Sequence, residues 1–358
     1  MENKPQRLLI VTQVVDIQDP YLSFFHGWLI EFAKHFEHIE VVCLKEGTHS
    51  LPSNVHVHSL GKPSYAEASE GRGERMLLRL RYTAKFLVLI WRLRHSYDAV
   101  FVHMNQEYVL LGGWLWKILG KRMYLWRNHY AGGPLTDAAA WFATKVFCTS
   151  RYSYTAKYRQ TVIMPLGIDT QSFSSDTSSR IPGSVLFFAR FAPAKKPHLL
   201  IEALGLLQKS NVPFKASFFG ATLPADAAYR AQVLRRAEEL GFGNSAVFHE
   251  GVPHSAAPGI FSNHEIYINL SSSGTYDKTI FEAAASGCIV LASSRDYAAL
   301  AGERFLVPDD NAQAIKEKLR EFLMLPDAEC RAIASKTSEL VLKGQNLQAL
   351  AERLAAEL

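Results

Sequence analysis

No stretch of this 358-residue chain approaches the ~18 uncharged apolar residues that a membrane-spanning helix needs, so no spanning segment is expected. Cysteine is scarce: Cys43, Cys148, Cys288 and Cys330 lie far apart, and the first three sit in apolar, strand-like runs. That spacing excludes a disulfide framework and paired metal ligands, and it fits a reducing cytoplasm. No G-x-G-x-x-G turn follows the first apolar run; the residues after Thr12 read QVVDIQDPYL, which argues against a nicotinamide oxidoreductase. No D-x-D pair occurs, Asp309 and Asp310 being adjacent, and no zinc-type ligand cluster is visible, so neither a metal nor another cofactor is expected. The net charge of +5 is mild, and no nucleic-acid partner is expected. The opening MENKPQRLLIVTQVV has its apolar run broken by Thr12 and Gln13 and reads as a first strand rather than a secretory signal.

What is present is the composition of a globular protein, with 48% hydrophobic and 20% charged residues, at a length where two domains are the default. Apolar runs of strand length alternate with helical patterns throughout, the mark of doubly wound α/β domains. The first half carries candidate strands Leu8–Thr12, Glu40–Leu44, Val55–Ser59, Ala99–His103, Arg122–Trp126, Val146–Thr149 and Val162–Pro165. The second half carries Val185–Ala189, Lys215–Gly220, Ala246–Glu250, Ile266–Leu270, Ile289–Ala292 and Phe305–Val307. Ser, Thr, Asp and Pro cluster from Ser172 to Gly183, so the division is expected between 1–171 and 172–344. The remaining 345–358 is amphipathic.

The most informative segment is IYINLSSSGTYDKTIFEAAASGCIVLASS, from Ile266 to Ser294. A buried strand enters a loop of small hydroxyl residues, a helix opens near Thr279 and closes at Gly287, and a second buried strand follows. The helix amino end, with its unpaired N–H groups, favours an anion such as phosphate. Ser273, Gly274, Asp277, Lys278 and Thr279 lie along the approach to it, and Gly220 at the end of another strand is a further candidate on this side. Glu282, in the first turn, is placed to accept hydrogen bonds from hydroxyls attached to that phosphate. The arrangement suits a sugar nucleotide.

The segment resembles the donor-binding signature of retaining GT-B glycosyltransferases of group 1 (family 4). LGIDTQSF resembles the family's interdomain motif, with Leu166 where Asn is usual. VLFFARFAPAKKPHLLIEAL resembles its basic motif, with Arg190 and Lys195 on the matching cations and Ala189 and Lys196 replacing two glycines. The resemblance implies two Rossmann-like domains facing across a cleft, the last helix, 345–358, packing back on the first. It implies that Glu282 grips the nucleotide ribose and that Arg190 and Lys195 neutralise the departing diphosphate without a metal. It also implies retention of the anomeric configuration. The family's second Glu, eight positions before Glu282, is here Gly274, and Asp277 is the nearest replacement carboxylate.

In the first half His103 and His129 end consecutive strands, at the carboxyl ends where ligands bind. His129 falls where the family often has a His near the transferred sugar and acceptor hydroxyl. His26-Gly27 matches weakly a loop close to the donor. From Arg75 to Arg94, Met76, Leu80, Ala84, Leu87 and Trp91 form one apolar stripe flanked by Arg75, Arg79, Arg81, Lys85 and Arg92. Such a helix suits an anionic membrane surface; the same pattern also suits a core-packed helix with a basic edge. The expectation is a cytoplasmic hexosyltransferase, peripheral at the inner face of the membrane, acting on a glycan or lipid-linked acceptor in polysaccharide or glycolipid assembly. The alternative is a nucleotide-sugar binding or scaffolding protein of the same fold without turnover.

Overall fold

Leu8 and Ile10 pack into one hydrophobic core while Leu9 and Val11, between and beyond them, pack into another. A strand apolar on both faces has to be covered on both, which is the condition of a parallel sheet inside an α/β domain. The computed structural model describes residues 7–19, 22–62, 72–173, 180–275 and 277–358. The side chains of 72–76, Arg75 and Met76 among them, lie outside the described residues, as do 174–179 of the expected linker.

The first half runs β1 (Arg7–Val15), α1 (Phe24–Ala33), β2 (His38–Glu46), β3 (Val55–Ser59), α2 (Arg72–Arg92), β4 (Ala99–His103) and α3 (Gln106–Ile118). It continues through β5 (Arg122–Trp126), α4 (Pro134–Phe142), β6 (Lys145–Cys148) and β7 (Thr161–Ile163). The second half runs β8 (Ile181–Phe188), α5 (Pro197–Lys209), β9 (Lys215–Phe219), α6 (Ala227–Leu240), β10 (Ala246–His249), α7 (Ala257–Ser262) and β11 (His264–Asn269). Then come α8 (Lys278–Ala285), β12 (Ile289–Ala292), α9 (Arg295–Ala301), α10 (Ala312–Leu323), α11 (Asp327–Gly344) and α12 (Leu347–Glu357).

Among the described residues the strands form two all-parallel sheets, β3-β2-β1-β4-β5-β6-β7 and β10-β9-β8-β11-β12. Each starts at a central strand, grows outward on one side and then reverses, the Rossmann order. The chain divides into two compact units. One is Met1–Gly167 with Gly274–Tyr276 and Leu347–Leu358; the other is Ile168–Ser273 with Asp277–Asn346. In the first unit α1 and α12 cover one sheet face, and α2, α3 and α4 cover the other. Helix α12 buries Leu350, Ala351 and Leu354, and the Tyr124 hydroxyl donates to the Leu358 carbonyl at 2.7 Å. Gly27 of α1 faces it, since a Cβ there would stand 3.4 Å from Leu347.

Two sequence expectations change. Phe305–Val307 is not a strand: a turn of 3-10 helix spans Glu303–Phe305, and the segment makes one isolated bridge, Leu306 to Ala292. The Phe305 ring instead packs against Phe322 and Tyr297. In α2 the face turned to the core is that of Phe86 and Ile90, while Leu77, Leu80, Val88 and Trp91 are exposed and Leu87 is half-buried. The outward stripe is therefore Leu77, Leu80, Ala84, Val88 and Trp91, one residue over from the expected one at two positions.

Candidate functional site

In the second unit the strand order reverses between β8 and β11. Loops leaving two such strands at their carboxyl ends diverge to opposite faces and leave a crevice where ligands bind. The chain leaves β8 through Ala189 and the exposed Arg190, makes a 3-10 turn at Pro193–Lys195 and starts α5 at Pro197. It leaves β11 through Leu270 and the serine loop and starts α8 at Lys278.

Lys195 is the centre of this crevice. Its Nζ donates to Ser271 Oγ at 2.9 Å and to Asp277 Oδ2 at 2.8 Å. Asp277 is fully engaged: Thr279 Oγ1 donates to its Oδ1 at 2.6 Å, and Asn269 Nδ2 reaches Oδ2 at 3.2 Å. Burial works to raise the Asp277 pKa, but the Lys195 charge and these hydrogen bonds outweigh it and hold it at about 2. Both oxygens are hydrogen-bonded within the crevice. Asp277 thereby holds Lys195. Thr279 is likewise internal, its Oγ1 lying 2.8 Å from the Tyr267 hydroxyl. The Asp277 side chain, turned to Lys195, does not cap α8, so that helix has no side-chain cap at its amino end.

Next in α8 is Glu282, 1% exposed. Its Oε1 lies 3.1 Å from His254 Nε2 and 3.8 Å from Lys278 Nζ. Burial lowers the Lys278 pKa against the pull of Glu282 and Asp169. His254, whose side chain is 40% exposed, rests on Phe173 at 5.4 Å between ring centroids. Ser273 Oγ accepts from Arg295 N at 2.8 Å and so ties the serine loop to the start of α9. Crevice residues that the sequence did not single out are His254, Asn269 and Ser271. Asn269 closes the strand and Ser271 follows two residues later, and both were visible there; His254 meets Glu282 only through the fold, 28 residues away.

Two of the departures from the family motif have physical accounts here. Lys196 sits at φ +54, a left-handed conformation that glycine adopts freely, and its Nζ is anchored by Asp309, 2.5 Å to Oδ2 and 2.8 Å to the carbonyl. Gly274 has φ +91 and packs within the first unit, its carbonyl accepting from Ser153 Oγ at 3.1 Å. A Cβ at Gly274 would come 2.5 Å from the Tyr152 carbonyl, so no side chain fits. Gly220 is a packing glycine: a Cβ there would lie 2.0 Å from the Ala189 carbonyl.

In the first unit the histidines part ways. His129 is exposed beyond β5, its Nδ1 lying 2.9 Å from the Ala131 N–H and 3.2 Å from the Ala131 carbonyl. His103 is 1% exposed, stacked on Phe25 at 4.1 Å, with Nδ1 3.1 Å from Thr12 Oγ1. Burial drops its pKa to about 3. Its expected meeting with substrate is corrected: β4 directs residues 99, 101 and 103 to one face, and the aromatic side of α1 encloses the ring there. His26 is half-buried, accepts from Ser50 N–H at 3.1 Å, and is held below its ordinary pKa by burial.

Residues 176–339 match the family model described as glycosyl transferases group 1. Comparison with curated proteins gives no match. Among solved structures, HepE of Anabaena in complex with UDP superposes with TM-score 0.75 at 18% identity, over 98% of each chain. The sucrose-phosphate synthase of Thermosynechococcus elongatus gives 0.75 at 16%, again over 98% of each. A glycosyltransferase of Rickettsia africae gives 0.73 at 14%, over 98% of this chain and 97% of that one. At such identities the likeness is one of fold: two parallel-sheet, Rossmann-like domains of the GT-B kind.

Proposed function

We propose that the protein is a retaining glycosyltransferase that moves a hexosyl group from a sugar nucleotide to a glycan or lipid-linked acceptor, with α2 at an anionic membrane surface. The observation that carries the reading is the crevice between β8 and β11, where Lys195 meets the loop leading into the amino end of α8 in a segment matching group 1 transferases, with Arg190 exposed at the end of β8. The diphosphate lies at that helix end, its charge met by the N–H groups and the two cations, so no metal is called on. Lys195 is already oriented by Asp277 and Ser271, which removes the reorganisation that a free lysine would need as charge develops on the leaving oxygen. Glu282 accepts from the ribose hydroxyls, exchanging its His254 contact for the ligand. The bond from the anomeric carbon to the diphosphate breaks, the acceptor oxygen bonds the same face of that carbon, and the acceptor proton leaves with the diphosphate. His129, exposed beyond β5 in the first unit, is the candidate for acceptor-side hydrogen bonding.

A second reading is favoured by Gly274: the same fold binds sugar nucleotides without turning them over, because position 274 cannot carry the family's carboxylate. Incubation with UDP-, GDP- and ADP-sugars, with release of nucleoside diphosphate timed and the product anomer read by proton NMR, separates the two. Release with an inverted anomer removes the retaining mechanism. Binding without release, candidate acceptors present, establishes the second reading.

A further inference from the structure

The chain has six tryptophans. Trp28, Trp116 and Trp126 are buried, and the others stand out: Trp91 is 48% exposed, Trp114 50% and Trp141 70%. These three fall one each on α2, α3 and α4, the helices that together cover one face of the seven-stranded sheet. Tryptophan is among the costliest side chains to leave in water, and three on one helical layer mark a surface meant to be covered. Aliphatic groups extend it: Leu77 and Val88 on α2, Ile118 on α3 at 74% and Leu135 on α4 at 62% exposed.

The charge around these rings identifies the cover. Lys117 Nζ lies 3.9 Å from the Trp141 ring centroid, and the Arg94 guanidinium lies 4.3 Å from that of Trp91. Arg79, Arg81, Lys85 and Arg92 line α2, with no acidic residue from Leu77 to Tyr97. The acidic residues of α3 and α4 are Glu107 and Asp137, and Asp137 is held by Lys157 at 2.8 Å and by Tyr154 and Tyr158. Cations stacked on indole rings put positive charge and aromatic surface at one level, which is the chemistry of the lipid headgroup zone: Trp at the interface, Lys and Arg on phosphate, aliphatics in the acyl boundary.

We propose that the outer face of the α2–α3–α4 layer docks the protein on an anionic bilayer, with Trp91, Trp114 and Trp141 as its interfacial anchors. The inference rests on the membrane part of the proposed function for α2 and extends it to two helices whose sequence patterns gave no such signal.

The test uses the full chain with vesicles of phosphatidylcholine alone and of phosphatidylcholine with phosphatidylglycerol. The expected result is co-sedimentation with the anionic vesicles at low salt, a blue shift of tryptophan emission on binding, and release by high salt. Trp114→Ser combined with Trp141→Ser, both surface changes that leave the core intact, is expected to weaken binding by at least about tenfold, as is Trp91→Ser alone. Absence of binding to anionic vesicles overturns the proposal, and wild-type binding by the double variant overturns the part played by α3 and α4. A wild-type dimer that the double variant dissolves, without vesicle binding, assigns the face to a second copy of the chain instead. Donor turnover is followed in parallel without vesicles, so that a failure of the transferase reading and a failure of the docking face give different results.

Discussion

His103 makes the stability of the first unit depend on pH. Its folded pKa of about 3 lies below the ~6.5 of an unfolded histidine. The unfolded chain therefore takes up a proton that the folded one refuses; the stability is fully present above ~6.5 and falls as pH drops towards 3. At pH 5 the loss is roughly 2 kcal/mol. His103→Gln is expected to flatten the urea midpoint of the first unit between pH 7 and 5; an unchanged slope assigns the pH dependence to other groups. Asp277 acts in a lower window, its contribution being lost only as pH falls from ~4 through about 2. At Glu282, removal of the carboxylate by Glu282→Ala should weaken donor binding by about 2–3 kcal/mol, and a calorimetric affinity equal to wild type rules out the ribose role. Glu282 and Lys195 were legible in the sequence because they sit at fixed offsets from strand and helix ends. The pairing of Lys195 with Asp277 was not, since it joins residues 82 apart. The burial of His103 was half legible: alternation along AVFVH put it on the face of Phe101, but only packing shows α1 closing over that face.

Helices show the limits of periodicity more sharply than strands. Both sheets were readable because a parallel strand buried on both faces is a short unbroken apolar run, and Phe305–Val307 was misread because a buried turn can present the same run. Helix α2 carries two apolar stripes, Phe86 with Ile90 and the one from Leu77 to Trp91, and nothing in their spacing says which faces inward. For α5 and α8 the expected consequence is kinetic. Lys195→Ala should lower kcat more than it raises KM, because the charge it meets grows in the transition state. A change confined to KM makes Lys195 a ground-state binder. For α12 the consequence is structural: Leu354→Ala in this fully buried stripe should destabilise the first unit by about 2–4 kcal/mol, read as a lower thermal midpoint. A midpoint within error of wild type means that the tail helix contributes little.

At the scale of the whole chain there are two compact units, each with its own sheet, and calorimetry is expected to resolve two unfolding transitions. A nucleoside diphosphate held at the crevice of β8 and β11 stabilises that unit alone, by about 2.7 kcal/mol at a hundredfold excess over Kd. UDP that moves both transitions equally, or the first unit's only, contradicts a site built from one unit's loops. The chain passes out of the first unit at Gly167 and returns at Leu347, and at this junction Ile168 N–H donates to the Gln345 carbonyl at 2.8 Å while Ile168 bridges Asn346. Departure and return are thus neighbours, and 168–346, apart from Gly274–Tyr276, is a guest inserted in the sequence of a host that resumes at Leu347. Splicing Gly167 directly to Leu347 should leave the host able to close its sheet and seat its last helix, and the excised guest should fold as a separate protein that keeps the phosphate-binding turn.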